Sequence, residues 1–227
     1  GPMRYLSFGE EAQQSCINMQ EPGTLSFAYT QAMMLALLYQ AKPKHATVLG
    51  LGAGSLVQAL NHYDKTMFIN AAELRTEVAK VAQEFFNLAP QPTIEIYIDD
   101  AAHYMHTCQT QSDFIFSDIY NDDGMTESQL SAEFITACYQ RLSAKGILVL
   151  NVWDEGKGSH PKAIQTLRDH FSDNCMVCPI YGGNLIVYAF KGGLPNINPR
   201  RLQPAAKRLS KKLNFSVQSL LQAFRTV

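Results

Sequence analysis

The sequence predicts an α/β fold: a doubly wound, mostly parallel seven-stranded sheet that ends in an antiparallel hairpin, preceded by a small N-terminal β-hairpin. Three observations predict it. Short strands containing Val and Ile alternate with longer helical patterns from Ala46 to Phe171, the alternation expected when helices cover both faces of a parallel sheet. A glycine-rich turn, GLGAG at 50–54, joins the first of these strands to its helix. After the last helix, two strand-like runs flank Tyr181-Gly182-Gly183-Asn184, so the sheet closes with an antiparallel pair.

Taken in chain order, Arg4–Phe8 and Gln14–Met19 read as strands around Gly9-Glu10-Glu11, a hairpin region over 3–24. Leu25–Gln40 (LSFAYTQAMMLALLYQ) has helical spacing and is stopped by Pro43. The apolar run Ala46–Leu51 is a buried strand, and Ser55 stands at the N-cap of a helix to Tyr63. Strand Met67–Ala72 precedes helix Arg75–Phe86, and strand Thr93–Tyr97 precedes a short helix to about Thr107. Strand Asp113–Ser117, helix Ser128–Leu142, strand Gly146–Val152 and helix Pro161–Phe171 follow, the last reached through Gly156 and Gly158. Met176–Ile180 and Leu185–Phe190 complete a domain over 25–191, and 192–227 forms a separate tail.

The glycine turn has the spacing G-x-G-x-G, and Ser55 stands where the dinucleotide pattern G-x-G-x-x-G requires its third glycine. This favours a nucleoside ligand without a pyrophosphate. Three successive strands end in acids, Glu73, Asp100 and Asp118, and open α/β sheets bind ligands outside the carboxyl ends of their strands. Glu73, 21 residues beyond Gly52, is spaced to accept hydrogen bonds from ribose hydroxyls. Asp100, one strand further, is placed to meet the exocyclic amine of an adenine.

With these residues in place, the chain resembles the spermidine synthase family, which has the class I S-adenosylmethionine-dependent methyltransferase fold. The resemblance runs from Arg4 to about Lys191 and is carried by GLGAG at 50–54, AAELR at 71–75, IDDA at 98–101, SDIYNDDG at 117–124, LSAKGILVLNV at 142–152 and the final hairpin. It implies Gly50, Gly52 and Gly54 around the methionine part of the ligand, Glu73 on the ribose, Asp100 and Ala101 at the adenine, and Asp118 as the catalytic acid–base group. Gln14 and Tyr29 match a Gln and a Tyr that line the family's pocket.

Departures from the pattern bear on the reaction. The family's amine-gripping Asp in the glycine turn is Ala53 here, its Tyr-His-Glu is Tyr29-Thr30-Gln31, and its second Asp after the catalytic one is Asn121. Asp122, Asp123 and Glu127 are either substitutes or a solvated loop. A missing acid at 53 removes repulsion toward a ligand carboxylate, which favours intact S-adenosylmethionine over the decarboxylated form. The expectation is therefore a sulfonium-dependent transferase moving a methyl or other alkyl group to a small-molecule acceptor. Two alternatives stay open: aminopropyl transfer from decarboxylated S-adenosylmethionine to a polyamine, and a nucleoside-binding module without turnover.

Composition narrows the setting. The chain has 227 residues, 46% of them apolar, enough for a sizeable core. The longest apolar run, Ala32–Tyr39, is about half of the roughly 18 residues a membrane span needs, so no membrane segment is expected. Five cysteines form no even framework, which fits a reducing cytoplasm. Cys175-x-x-Cys178 has no second pair to complete a zinc site, and His103 with His106 lacks a third ligand, so no metal is expected. Gly1-Pro2 ahead of Met3 reads as a remnant of tag cleavage. From Asn174 onward there is no Asp or Glu against eight Lys or Arg, whereas residues 1–173 balance to −9. Within the tail, Ala205–Leu213 and Ser216–Arg225 read as helices after a linker punctuated by Pro195, Pro199 and Pro204. Their apolar stripe is expected to dock on the body. The basic face of Lys207, Arg208, Lys211 and Lys212 leaves a homodimer or nucleic acid as partners.

Overall fold

The computed structural model describes residues 1–7, 13–121, 124–154, 157, 159–196 and 198–227. Strands β1 (Met3–Ser7) and β2 (Gln13–Asn18) form a separate two-stranded antiparallel sheet. Their expected turn at Gly9-Glu10-Glu11 lies outside the described residues. Helix α1 (Ala28–Met33) continues as a 3-10 turn over Met34–Leu38. It starts later than the periodicity suggests, because Leu25 bridges to Ile17 of β2. Ala32 through Ala36 are wholly inaccessible to solvent, which explains why this segment is apolar all round.

The central unit runs β3 (His45–Leu49), α2 (Ser55–Tyr63), β4 (Phe68–Glu73), α3 (Thr76–Phe85), β5 (Ile94–Ile98), α4 (Ala101–Thr107) and β6 (Ser112–Ser117). A small pair, β7 (Tyr120–Asn121) and β8 (Gly124–Met125), leads to a 3-10 turn at Glu127–Leu130 and to α5 (Ala132–Arg141), which is capped by the Ser131 hydroxyl. Then come β9 (Leu142–Trp153), α6 (Pro161–Phe171), β10 (Cys175–Ile180) and β11 (Asn184–Phe190). The chain ends with α7 (Pro199–Leu213), α8 (Val217–Leu221) and β12 (Arg225–Thr226).

The sheet order is β12-β10-β11-β9-β6-β3-β4-β5. Strands β3, β4, β5, β6 and β9 are parallel, and β11 runs antiparallel to both β9 and β10. The seven expected strands are present, joined at the edge by an eighth, β12. The tail supplies it: the expected helix to Arg225 stops at Leu221, and Phe224 turns in to stack on Tyr39 and pack against Tyr188. That contact carries Arg225 and Thr226 to the free edge of β10.

The tail also departs from its expected linker. Pro199 opens α7, where its missing N–H would be unsatisfied anyway, and Pro204 lies inside the helix. Ala206, Leu209, Leu213, Val217 and Leu221 belong to the main apolar core, while Lys207, Arg208, Lys211 and Lys212 stay exposed. Leu213→Ala is accordingly expected to cost about 2–4 kcal/mol in urea unfolding, and Lys211→Ala less than about 0.5 kcal/mol. Equal effects would mean that the tail is not part of the core.

Candidate functional site

The strand order reverses around β3, with β4 on one side and β6 on the other. A crevice therefore opens outside the carboxyl ends of these strands. The chain crosses it through the glycine turn. Gly50 has φ +88°, donates its N–H to the Ala72 carbonyl at 3.0 Å, and presses against the segment after β6: a Cβ there would lie 2.2 Å from the Asp118 carbonyl oxygen. Only glycine fits both the left-handed conformation and that contact. Gly54, at φ +81°, is the N-cap of α2, so Ser55 is the first helical residue rather than the cap. Gly52 sits 3.6 Å, measured from a Cβ placed on it, from the Ser15 side chain, which brings β2 over the turn. Gln14 belongs to that strand, but its side chain lies outside the described residues.

Glu73, the last residue of β4, is 8% exposed and holds the turn from below. One carboxylate oxygen accepts the Leu51 N–H and the other the Arg75 N–H, each at 3.0 Å. A carboxylate offers about four lone-pair sites, so each oxygen keeps capacity for a further donor. Asp100 is exposed and caps α4, with Oδ1 accepting from the Ala102 and His103 N–H groups at 2.9 and 3.0 Å. Its other oxygen is not used in that cap. Ala101 follows as the first helical residue, half-buried at the same strand end. His103 pairs with Asp99 at 2.8 Å on the surface.

Asp118 lies one residue beyond β6, tied back by its N–H to the Leu49 carbonyl at 2.9 Å. Its Oδ1 accepts from Asn151 Nδ2 at 2.8 Å, and the Tyr29 hydroxyl hydrogen-bonds to the same carboxylate. Burial pushes the carboxyl up to about 6, against the lowering effect of these two donors. Asn151 in turn accepts from Asn184 Nδ2 at 3.0 Å. Among the described residues the Tyr120 hydroxyl is buried without a partner in hydrogen-bond geometry, although the Asn184 amide lies beside it. Burial first and the Asp118 charge second hold both the Tyr29 and the Tyr120 hydroxyls above the usual phenol range.

Sequence reasoning missed Asn151, Asn184 and Gln129. Gln129 is fully buried, accepts from the Ser117 hydroxyl at 2.9 Å and donates to the Asn151 carbonyl at 3.3 Å. It thereby ties the loop after Asp118 to β6 and β9. Position alone could have flagged Asn151, a polar residue within the apolar strand ILVLNV. Ala53 is fully buried with Ile17 and Phe86, so an acid at this position would sit in an apolar cluster. Thr30 spends its hydroxyl on the Phe27 carbonyl and Gln31 its amide on the Leu25 carbonyl. The side chains of Asn121, Asp122, Asp123 and Glu127 lie outside the described residues.

Among the described residues no group of three His, Cys, Asp or Glu could hold a metal ion, and no helix is long and apolar enough to cross a membrane. Cys175 and Cys178 are buried, and burial pushes both thiols up to about 12, which suppresses thiolate chemistry.

The family model for the spermine/spermidine synthase domain matches residues 26–200. A polyamine aminopropyltransferase of Neisseria meningitidis is 28% identical over 228 residues, covering 99% of this chain and 86% of the relative. Among solved structures, a probable spermidine synthase from Corynebacterium glutamicum superposes with a TM-score of 0.73 at 19% identity, over 86% of this chain and 76% of that one. Human methyltransferase-like protein 13, solved with SAH, gives 0.71 at 22% identity over 83% and 93%. These two likenesses establish the fold.

The Asp118 environment has a consequence for stability. A folded-state carboxyl raised above its ordinary value stabilises the fold below that ordinary value, and the contribution is lost as pH rises through about 6. Asp118→Asn is thus expected to raise stability at pH 8 by about 1–2 kcal/mol. The advantage should vanish near pH 4, in thermal unfolding followed at both pH values.

Proposed function

This chain belongs to the spermine/spermidine synthase family, and from that premise we propose that it transfers an aminopropyl group from decarboxylated S-adenosylmethionine to a small amine. The observation that carries the reading is the likeness to a polyamine aminopropyltransferase over 99% of the chain. The site supplies the chemistry in outline. When bound, the donor would present an alkyl carbon activated by a positively charged sulfur. The glycine turn at 50–54, whose tight path is set by positive φ at Gly50, Gly52 and Gly54, would lie against the methionine-derived part. Glu73 keeps one acceptor site on each oxygen for ribose hydroxyls, and the free oxygen of Asp100 with Ala101 would receive the adenine edge. Gln14 and Tyr29 would border the pocket from β2 and α1.

An acceptor amine has a pKa near about 10 and arrives as an ammonium. Asp118 attracts that charge and takes a proton, which frees the nitrogen lone pair to attack the carbon beside sulfur; the C–N bond forms, the C–S bond breaks and its electrons stay on sulfur. A base near pH 6 is matched to that task in neutral solution. Holding the two reactants in line would supply much of the rate.

A second reading, methyl transfer from intact S-adenosylmethionine, is favoured by Ala53, because no acid in the turn repels a ligand carboxylate or grips an amine. Incubation with decarboxylated S-adenosylmethionine and putrescine, followed by chromatography, separates the two. Release of methylthioadenosine is expected, whereas turnover of intact S-adenosylmethionine alone would replace the first reading with the second. The acid limb of kcat/KM should fall below about pH 6 and disappear in Asp118→Asn. Glu73→Ala should weaken nucleoside binding by about 1–3 kcal/mol in calorimetry.

A further inference from the structure

The side chain of Asp118 is not held by its own loop alone. We propose that Asn184, delivered by the β10–β11 hairpin, is a positioning residue that fixes Asp118 through Asn151. The proposal rests on the reading of Asp118 as the base.

Hydrogen-bond chemistry fixes the direction of the chain. An ionised carboxylate only accepts, so Asn151 must turn its NH2 group toward Asp118 Oδ1, 2.8 Å away. Its amide oxygen then faces the other way and requires a donor. Asn184 Nδ2 provides one at 3.0 Å. Without it, the Asn151 amide could rotate by half a turn and present its oxygen to the carboxylate, replacing an attraction by a repulsion. Sheet register makes the arrangement possible. Asn151 is paired with Ile186 and Asn184 with Trp153 across β9 and β11, so the two asparagines are diagonal neighbours two residues apart on one face.

The hairpin is built to hold Asn184 there. Gly183 has φ +105°, and a Cβ on it would lie 2.7 Å from the Trp153 ring. Its carbonyl accepts the Asp154 N–H at 2.8 Å. From below, Gln129 fixes the Asn151 backbone through its carbonyl. Among the described residues, the titratable groups that face Asp118 are the Tyr29 hydroxyl from α1 and the Tyr120 hydroxyl from β7, both held above the usual phenol range. Between pH 5 and 8 the amide orientation of Asn151 is therefore the variable that the hairpin controls.

The test reads Asp118 directly by carbon-detected NMR of its side-chain carboxyl in the full-length, ligand-free protein. The Asp118 midpoint is expected to move up by about 0.5–1 pH unit in Asn184→Ala, with Asn184→Gln restoring part of the shift. Turnover with decarboxylated S-adenosylmethionine and putrescine should show the acid limb moving with it and kcat falling more than KM rises. An unmoved Asp118 midpoint in a folded Asn184→Ala, judged by circular dichroism, overturns the proposal. Should that variant not fold, Asn184→Ser is scored in the same way. Should the Asp118 midpoint shift in Asn184→Ala while the wild-type protein turns over no amine, the aminopropyl reading is overturned and the positioning role stands.

Discussion

The structure depends on one close contact: the backbone of the glycine turn packed against the backbone that follows β6. Leu49 accepts the Asp118 N–H, and Gly50 leaves no space for a side chain beside the Asp118 carbonyl. Two strands that are adjacent in the sheet, but more than sixty residues apart in sequence, are thereby locked at their carboxyl ends. Of the residues proposed to bind or react, Gly50 and Asp118 lie on this lock. A substitution at Gly50 would displace the glycine turn and the Asp118 backbone together, so this one residue sets the geometry on both sides of the crevice.

The carboxylates around the crevice have second jobs that explain their rigidity. Glu73 holds the turn by two backbone N–H groups, and Asp100 caps α4. Each is prepaid in orientation by contacts that exist before any ligand arrives, which lowers the ordering cost of binding. Asp118 is different: its partners are side chains from α1 and β9, and a buried carboxylate with two donors remains near pH 6. Two acids are satisfied by backbone and one is left tunable. That contrast matches the roles proposed for them, two groups that bind and one that moves a proton.

The architecture was legible because strand, glycine turn and strand-end acid are local patterns with fixed spacing. The glycines at 50, 52 and 54, Glu73, Asp100 and Asp118 do converge at one edge of the sheet, as the order of strands requires. The asparagines were not legible, since Asn151 and Asn184 are separated by α6 and a hairpin and acquire meaning only through antiparallel register. The tail was half legible. Its apolar stripe at Leu209, Leu213, Val217 and Leu221 could be seen, but its eighth strand depends on Phe224 meeting Tyr39 and Tyr188, contacts that no local window contains. Ser55 misled for a physical reason: Gly54 already occupies the left-handed cap, and the hydroxyl makes no capping bond.

Ala53 presents the sharpest contrast with the family, and its surroundings change what the absent acid means. Because the methyl group is enclosed with Ile17 and Phe86, the turn at this point packs against β2 and the residue that ends α3 instead of facing water. An aspartate there would be desolvated and would need an ammonium partner to stay ionised. Beyond β6, Asp118 has neutral donors around it among the described residues, the Asn151 amide and the Tyr29 hydroxyl. Under the proposed reaction an ammonium-bearing acceptor would be drawn to this carboxylate, so that recognition of the acceptor and removal of its proton would fall on one group.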